Sequence, residues 1–225
     1  MGIGVERIVD LSVVLDERTQ TYPGDPVPRM TTATRIASDG FNLLELHIGS
    51  QSGTHVDAPY HFIEDGPRLE DCDLSLFAGP GVIVDASSHA DHQPITWTDL
   101  KPYAGRLRPG AVVALRTGWS DRFMGTDRYY AHPYLDPEAC ARLVDLGVRT
   151  VAIDALNLDE TVLPGEGEPR FPSHMTFLGA GGIFAENLTG LGAVDFDDPL
   201  IALLPIRLGW DADGAPCRAV ALEIA

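Results

Sequence analysis

Cysteine is scarce in this chain, and the few thiols form no recognisable pattern. Cys72, Cys140 and Cys217 are far apart, and no Cys-x-x-Cys pair is present. An odd number of isolated cysteines argues against a disulfide framework, and the missing pair argues against a structural zinc site built on thiolates. We therefore expect reduced, partly buried cysteines.

Long apolar segments are missing as well. No stretch reaches the roughly 18 apolar residues that a membrane-spanning helix needs. The N-terminal segment carries Glu6 and Arg7, where a signal peptide would be apolar. These features predict a soluble, cytoplasmic protein that does not associate with membranes.

Basic residues are few compared with acidic ones. The chain has 16 Lys and Arg against 33 Asp and Glu, which gives a formal net charge of −17. Binding to phosphate backbones or anionic lipids needs clustered Lys and Arg, so nucleic acid and membrane surfaces are not expected partners. Most of the acidity is expected on the solvated surface, although some of it can serve to bind a cation.

Pro and Gly are spread evenly along the chain, and no repeat, low-complexity tract or linker interrupts it. A chain of 225 residues, 44% of them hydrophobic, can bury one substantial core, so we expect a single domain over residues 1–225. Apolar and β-branched runs predict strands at 7–15, 42–49, 81–86, 111–117, 150–154, 200–208 and 218–224. The coarse fold prediction is irregular α/β, because strands and helices alternate too loosely for a doubly wound sheet.

One helix is clearly predicted after Asp136, a suitable N-cap that is followed by Pro137 at the first helical position. It is expected to run to Gly147, with one buried face formed by Ala139, Leu143 and Leu146. Weaker patterns indicate short helices at 96–101 and 174–178.

The segment 45–57 carries side chains that can bind a cation. If this segment is one strand, its odd-numbered side chains share a face at intervals of roughly 6.6 Å, which places His55 beside Asp57. Glycines at 49 and 53 leave room for a cation above that face. Pro59 ends the strand because it cannot donate to the ladder, and it brings His61 onto a loop beside the same place. His61 is thereby expected to contact substrate or water.

A second group lies downstream, in the segment 173–188. Here His174 near a short helix and Glu186 after an apolar, strand-like run bracket a glycine turn at 179–182. Two acids between the groups, Asp154 and Asp159, end a buried-looking strand. They can either line an active-site rim or form turn hydrogen bonds. The compact run His89-Ala-Asp-His92 is interpreted as a surface loop, since no rigid element fixes its side chains.

Taken together, these segments resemble the cyclase family, which includes bacterial kynurenine formamidases and isatin hydrolases. The family signature is His-x-Gly-Thr-His-x-Asp-x-Pro-x-x-His or a near variant, and residues 51–61 read Gln-Ser-Gly-Thr-His-Val-Asp-Ala-Pro-Tyr-His. The resemblance covers nearly the whole chain. Its further markers are Ile-Val-Asp-Leu-Ser at 8–12, Tyr-Pro-Gly-Asp at 22–25, Leu-Arg-Thr-Gly-Trp at 115–119 and Leu-Leu-Pro-Ile at 203–206.

This resemblance implies the family's swivelling β/β/α fold, with a mostly antiparallel, barrel-like sheet and helices outside, and a homo-oligomer (dimer or tetramer). It also implies that His55 and Asp57 are ligands of a first divalent metal, with Asp57 able to bridge. His174 and Glu186 would be ligands of a second metal. His61 would then be the catalytic acid/base group.

Gln51 departs from the signature, because it occupies the position of the first His. A neutral amide oxygen is a harder ligand than an imidazole nitrogen, so the preference for Zn²⁺ over Mn²⁺ or Mg²⁺ is weakened. Gln51 can coordinate the metal through its oxygen, or it can hydrogen-bond a water on the metal; both interpretations stay open. Tyr22 is a candidate for stacking on an aromatic substrate, with ordinary core packing as the alternative.

The expected function is metal-dependent hydrolysis of a small amide, such as N-formylkynurenine or isatin, with Zn²⁺ or Mn²⁺ as the cofactor. Two other functions are consistent with the same resemblance: a metal-dependent cyclase or lyase of secondary metabolism, and a catalytically silent ligand-binding homologue. The silent homologue is disfavoured because His61, Asp57 and Glu186 are all present.

Overall fold

The computed structural model describes residues 4–225, which form twelve strands and five α-helices. The helices are α1 (Ile36–Asp39), α2 (Trp97–Leu100), α3 (Trp119–Phe123), α4 (Pro137–Asp145) and α5 (Pro172–Gly179). The strands are β1 (Val5–Asp10), β2 (Arg29–Thr34), β3 (Leu43–His47), β4 (His55–Asp57), β5 (Ala78–Asp85), β6 (Pro94–Ile95), β7 (Val112–Arg116), β8 (Tyr134–Leu135), β9 (Thr150–Ile153), β10 (Ile183–Glu186), β11 (Leu200–Pro205) and β12 (Gly214–Ile224).

Eight strands form the main sheet, in the order β1-β12-β11-β5-β7-β9-β10-β4. A further pairing of β4 with β12 closes seven of these strands into a barrel-like ring. The neighbours β5-β7, β7-β9 and β9-β10 are parallel, and the other pairs of this sheet are antiparallel. The expected α/β architecture with a mostly antiparallel, barrel-like sheet is therefore confirmed.

The ring has two cores because successive side chains of a strand point to opposite faces. One core lies inside the ring and combines many alanines, including Ala114, Ala152 and Ala185, with Val, Leu, Ile and one Phe side chain. The other core lies between the outer face of the sheet and the helices. It combines bulky strand residues such as Leu115 and Ile153 with residues of α4 and α5. Small interior residues suit a narrow barrel, whereas the larger gap under the helices needs larger side chains.

Each predicted strand overlaps a strand of the structure, but β1 ends at Asp10 and β11 at Pro205, before the predicted ends at 15 and 208. The main helix is also present. Asp136 caps α4 as expected, and its carboxylate accepts hydrogen bonds from the backbone amides of Glu138 and Ala139 at 3.0 and 3.1 Å. The prediction that Leu146 lies on the buried face is wrong, since its exposed fraction is 39%. The helix ends at Asp145, so Leu146 follows the last turn and leaves the face that buries Ala139 and Leu143.

The prediction of one strand over residues 45–57 is also wrong. The chain leaves β3 at His47, turns through residues 50–53 and enters β4 only at His55. Gly53 has a φ of +65°, a left-handed conformation that interrupts a strand and that glycine adopts without strain. Only His55 and Asp57 therefore share a strand face, and Gln51 approaches the same region from the turn.

Among residues 4–225, no helix combines the length and the apolar character that crossing a membrane would require.

Candidate active site

The centre of the site lies where β4 pairs with β10. In this antiparallel register His55 is opposite Glu186, at the end of β10, and Asp57 lies two residues further along β4. Residues directly opposite each other in such a pair have Cβ atoms roughly 5 Å apart, so the pairing brings an imidazole to a carboxylate. Nε2 of His55 lies 3.4 Å from Oδ1 of Asp57 and 3.6 Å from Oε2 of Glu186.

The helix α5 supplies the fourth member of this cluster. Nε2 of His174 lies 3.4 Å from Oδ2 of Asp57 and 3.5 Å from Oε1 of Glu186. Each carboxylate thus reaches both imidazoles through different oxygens. The signature segment and the downstream segment 173–188 thus meet in one cluster of imidazoles and carboxylates, although more than a hundred residues separate them in the chain.

The cluster is suited to a small divalent cation. All four side chains are buried, and Oδ1 of Asp57 has no hydrogen-bond partner. Ligand atoms of His55, Asp57 and Glu186 lie within 4.8 Å of one another. Neighbouring ligands of one tetrahedral ion with bonds of 2.0–2.2 Å are expected about 3.4 Å apart, close to the separations found here. Two imidazoles and two carboxylates are ligands that Zn²⁺ and Mn²⁺ both accept.

The charge balance of the cluster also favours a cation. Burial works against a protonated imidazole, but Asp57 and Glu186 outweigh it and raise the pKa of His55 to about 9. Burial likewise opposes ionisation of Asp57, yet His174 and His55 hold its pKa well below the ordinary value. Two buried carboxylates need positive charge close to them, and a divalent ion can supply that charge in place of protons on the imidazoles.

Asp159 supports His174 from behind. Its Oδ2 accepts hydrogen bonds from Nδ1 of His174 at 2.8 Å and from the backbone amide of the same residue at 3.0 Å. Its Oδ1 accepts from the amide of Ser173 at 3.0 Å. Of the two interpretations left open by the sequence, hydrogen bonding applies: the buried carboxylate caps the first turn of α5 and also directs a site imidazole, but it does not line the cavity. Asp154, by contrast, is committed to a turn at Thr117 and Gly118.

His61 lies on a single 3₁₀ turn, Pro59–His61, that follows β4 directly. Its Nδ1 lies 2.9 Å from Oδ2 of Asp213, the residue that precedes β12. The amide nitrogen of Gln51 donates to the same oxygen at 2.9 Å. Burial opposes ionisation of Asp213, but the hydrogen bonds from His61 and Gln51 lower its pKa to about 2. Burial also disfavours charge on His61, and the bond to Asp213 nevertheless raises the pKa of this imidazole.

His61 and Gln51 line a cavity of about 470 Å³ together with the four residues of the imidazole–carboxylate cluster. Tyr22 forms part of the wall, and its ring centroid lies 5.9 Å from that of Phe171. Phe171 lies 5.0 Å from Phe62, which in turn lies 4.8 Å from the ring of His174. The cavity therefore has one aromatic side next to the imidazole–carboxylate cluster. Tyr22 contributes to this wall, and its hydroxyl is buried without a hydrogen-bond partner.

The run 89–92 does not form a cluster. His89 lies 3.5 Å from Asp99, whereas the exposed His92 lies 3.2 Å from Glu160, so the two imidazoles have different neighbours. The expectation of an ordinary loop there agrees with this arrangement.

Sequence reasoning missed Phe62 and Phe171, which line the cavity, and Asp213, which contacts His61. Phe62 follows His61 directly, so an extended reading of the signature could have included it. Asp213 is next to Gly214 in a turn-like run, which is the usual place of a structural aspartate. Only the pairing of β12 with β4 brings it to His61.

The chain matches the family model "Putative cyclase" over residues 9–160. It is 30% identical over 213 residues to kynurenine formamidases of Geobacillus thermodenitrificans and Bacillus mycoides, and each alignment covers 94% of this chain and 95% of the relative. A crystal structure of an isatin hydrolase bound to the product analogue thioisatinate superposes with a TM-score of 0.85 at 25% identity, covering 97% of this chain and 92% of the other. Isatin hydrolase A from Labrenzia aggregata has the same TM-score at 24% identity, with coverage of 96% and 93%, and supports the fold. The signature segment, the fold and the family match lead to one conclusion: the chain belongs to the cyclase family.

Proposed function

We propose that this protein hydrolyses small aromatic amides with the help of a divalent metal held by His55, Asp57, His174 and Glu186. As a cyclase-family relative of kynurenine formamidases and isatin hydrolases, it is a metal-dependent hydrolase of non-peptide C–N bonds in amides. The observation that carries the proposal is the buried set of two imidazoles and two carboxylates, with an oxygen of Asp57 left without a partner, in the wall of an aromatic cavity.

A bound divalent cation supplies two kinds of chemistry at such a site, since it lowers the pKa of water from 15.7 towards about 7 and polarises a carbonyl oxygen. Zn²⁺ and Mn²⁺ are the candidates, because the donors are mixed nitrogen and oxygen. Asp57 reaches both imidazoles, so it can serve one ion or bridge two.

His61 is proposed to move the proton. Its Nδ1 is committed to Asp213, so Nε2 is the nitrogen available for exchange. As the water oxygen bonds to the carbonyl carbon, Nε2 accepts the proton that the water loses. The C–N bond then breaks, and Nε2 returns this proton to the leaving nitrogen. An imidazole suits both steps because its neutral form accepts a proton and its protonated form donates one.

The cavity wall supports an aromatic substrate. Tyr22, Phe62 and Phe171 form one side, and aromatic rings pack well on such a surface. The residues that line the cavity include no Lys or Arg, whereas a half-buried carboxylate, Asp25, is among them. Burial raises the pKa of Asp25. This composition favours neutral aromatic amides, such as arylformamides or isatin, over amides that carry a carboxylate near Asp25.

A homo-oligomer is proposed because of the hairpin formed by β2 and β3. The two strands pair only with each other, and their side chains are exposed or half-buried. Leu43 on one face and Leu44 and Leu46 on the other are each more than half exposed. An isolated two-stranded hairpin is marginally stable in water, so a second copy of the chain is the proposed cover.

A cytoplasmic location is proposed from the three free thiols, which are unpaired in the structure.

The direct test is a panel of formanilide, N-formylkynurenine and isatin, assayed with the protein loaded with Mn²⁺ or Zn²⁺. We expect hydrolysis of at least one amide, loss of activity after chelation and recovery on adding metal back. Full activity of a verified metal-free protein would contradict the proposal. Failure to hydrolyse any amide, with metal bound, would instead favour the cyclase or lyase alternative.

A further inference from the structure

One carboxylate, that of Asp213, holds the two ends of the signature segment. Oδ2 of Asp213 lies 2.9 Å from Nδ1 of His61 and 2.9 Å from the amide nitrogen of Gln51. These two nitrogens are themselves 3.4 Å apart, so the three side chains form a compact triangle. We propose that Asp213 is the positioning residue for His61, and that Gln51 belongs to this hydrogen-bonded unit and not to the metal ligands. The inference rests on the proposed function, in which His61 carries the proton.

The partners fix the tautomer of His61. An ionised carboxylate only accepts hydrogen bonds, so the ring hydrogen belongs on Nδ1, where it can be donated to Asp213. The lone pair then belongs to Nε2, the nitrogen that the proposed proton transfer uses. The other tautomer would place two acceptors against each other at 2.9 Å and would leave Nε2 unable to take a proton.

The same carboxylate fixes the amide of Gln51. Its nitrogen must face Asp213, since its oxygen would be repelled there, and Oε1 is then buried without a hydrogen-bond partner. Gln51 therefore acts on Asp213 as a donor that holds the carboxylate in place. The buried Oε1 of Gln51 is nevertheless assigned no bond to the metal, because the two imidazoles and two carboxylates of the cluster already provide four ligands.

The backbone around Asp213 is shaped for this contact. The amide of Ala58 donates to the carbonyl oxygen of Asp213 at 2.8 Å, which ties the aspartate to the start of the turn that carries His61. At the next position, a Cβ atom on Gly214 would lie 2.8 Å from the amide nitrogen of Gln51 and 2.4 Å from the carbonyl oxygen of Val56. Glycine at 214 thus leaves the space that the Gln51 amide occupies.

The experiment compares the Zn²⁺-loaded wild type with Asp213→Asn and Gln51→Ala, and uses Asp211→Asn as the matched control. Asp211 is an exposed aspartate two residues away that pairs with Arg68. Zn²⁺ affinity is measured by competition titration. The His61 tautomer is read from its two ring ¹⁵N shifts, and kcat and KM are measured with formanilide and isatin.

We expect all three variants to keep Zn²⁺ affinity within about threefold of the wild type. Asp213→Asn should lose the Nδ1–H signature of His61 and lower kcat by about 10²-fold or more with little change in KM, as is typical of lost acid–base catalysis. Gln51→Ala should lower kcat less, and Asp211→Asn should change nothing.

Two results would overturn the inference. The first is an unchanged ¹⁵N spectrum of His61 in Asp213→Asn, which would show that Asp213 does not position His61. The second is a loss of Zn²⁺ affinity of more than about tenfold in Gln51→Ala, which would make Gln51 a ligand. Failure of the proposed function is recognised separately: the Zn²⁺-loaded wild type would then hydrolyse neither formanilide nor isatin, while the ¹⁵N shifts would still report the contact of His61 with Asp213.

Discussion

Asp159 and His174 form a buried pair in which the carboxylate lies 2.8 Å from Nδ1 of the imidazole. With Nδ1 donating to Asp159, Nε2 is left to face Asp57 and Glu186 at 3.4 and 3.5 Å. Hydrogen-bonded carboxylates of this kind fix the tautomer and orientation of metal-binding imidazoles. Asp159 is thereby placed to tune the proposed metal centre without being one of its proposed ligands.

Asp159→Asn should weaken metal binding by about 10- to 100-fold, the usual cost of removing such a partner. The amide removes the negative charge and can present a donor to Nδ1, so the imidazole is held less well. Isothermal titration with Mn²⁺ or Zn²⁺ measures the effect. Asp145→Asn, an exposed position at the end of α4, serves as the control and should bind as the wild type does. An unchanged affinity in Asp159→Asn would contradict this role.

Asp57 and His61 should behave differently when each is replaced. Asp57→Asn is expected to lose both metal and activity, because this carboxylate contacts both imidazoles of the cluster. His61→Ala is expected to retain the metal but to lose about 10² to 10⁴ in kcat, the typical contribution of acid–base catalysis. Metal analysis of the purified variants, together with turnover of formanilide, separates the two roles. Loss of metal in His61→Ala would show that His61 is a ligand.

Asp25 should set the charge preference of the cavity. Asp25→Asn is expected to raise kcat/KM for 4-formamidobenzoate relative to neutral formanilide by about 3- to 10-fold, since a like charge at such a partly exposed site costs on the order of 1 kcal/mol. The ratio of the two substrates cancels general effects on activity. An equal change in kcat/KM for both substrates would show that Asp25 does not select substrates by their charge.

Leu44 should be part of a contact between copies of the chain. Leu44→Glu places a charge on one face of the exposed hairpin, and we expect a shift towards the monomer in light scattering coupled to size exclusion. Leu74→Glu is the matched control, because Leu74 is 80% exposed and lies outside the hairpin. A wild-type protein that is already monomeric at micromolar concentration would refute the proposed oligomer.

His132 should make stability depend on pH. Burial lowers its pKa from 6.5 to about 4, and its ring lies 2.8 Å from the carbonyl oxygen of Pro133 and 2.8 Å from the hydroxyl of Thr161. Between these values the unfolded chain binds a proton at His132 and the folded chain does not. The contribution of neutral His132 to the free energy of unfolding is therefore complete above pH 6.5. As the pH falls towards 4, the free energy of unfolding decreases by about 3 kcal/mol.

Urea unfolding from pH 7 to pH 4 measures this loss as the difference between wild type and His132→Gln, which cancels titration of the other histidines. His92→Gln, which removes an exposed imidazole, is the matched control. If the free energy of unfolding of His132→Gln changes with pH as that of the wild type does, His132 does not titrate as its burial implies.

Most strands and the main helix can be predicted from the sequence. Apolar, β-branched runs predicted strands such as β7 and β9, because strands buried on both faces are continuous hydrophobic segments. Asp136 and Pro137 predicted the start of α4, because capping depends on neighbouring residues alone. The continuous strand over 45–57 failed for a local reason too, since the left-handed Gly53 breaks it.

The sequence by itself determined the chemistry that was available: the signature segment gave His55, Asp57 and His61, and the downstream segment gave His174 and Glu186. Tertiary structure alone decided how they meet. The register of β4 with β10 places Glu186 opposite His55, and Asp159 turns His174 towards the same carboxylates. The pairing of β12 with β4 brings Asp213 to His61. The contacts of His55 with Glu186 and of His61 with Asp213 join residues more than 100 positions apart. They form only when the ring of strands closes, so no local pattern encodes them.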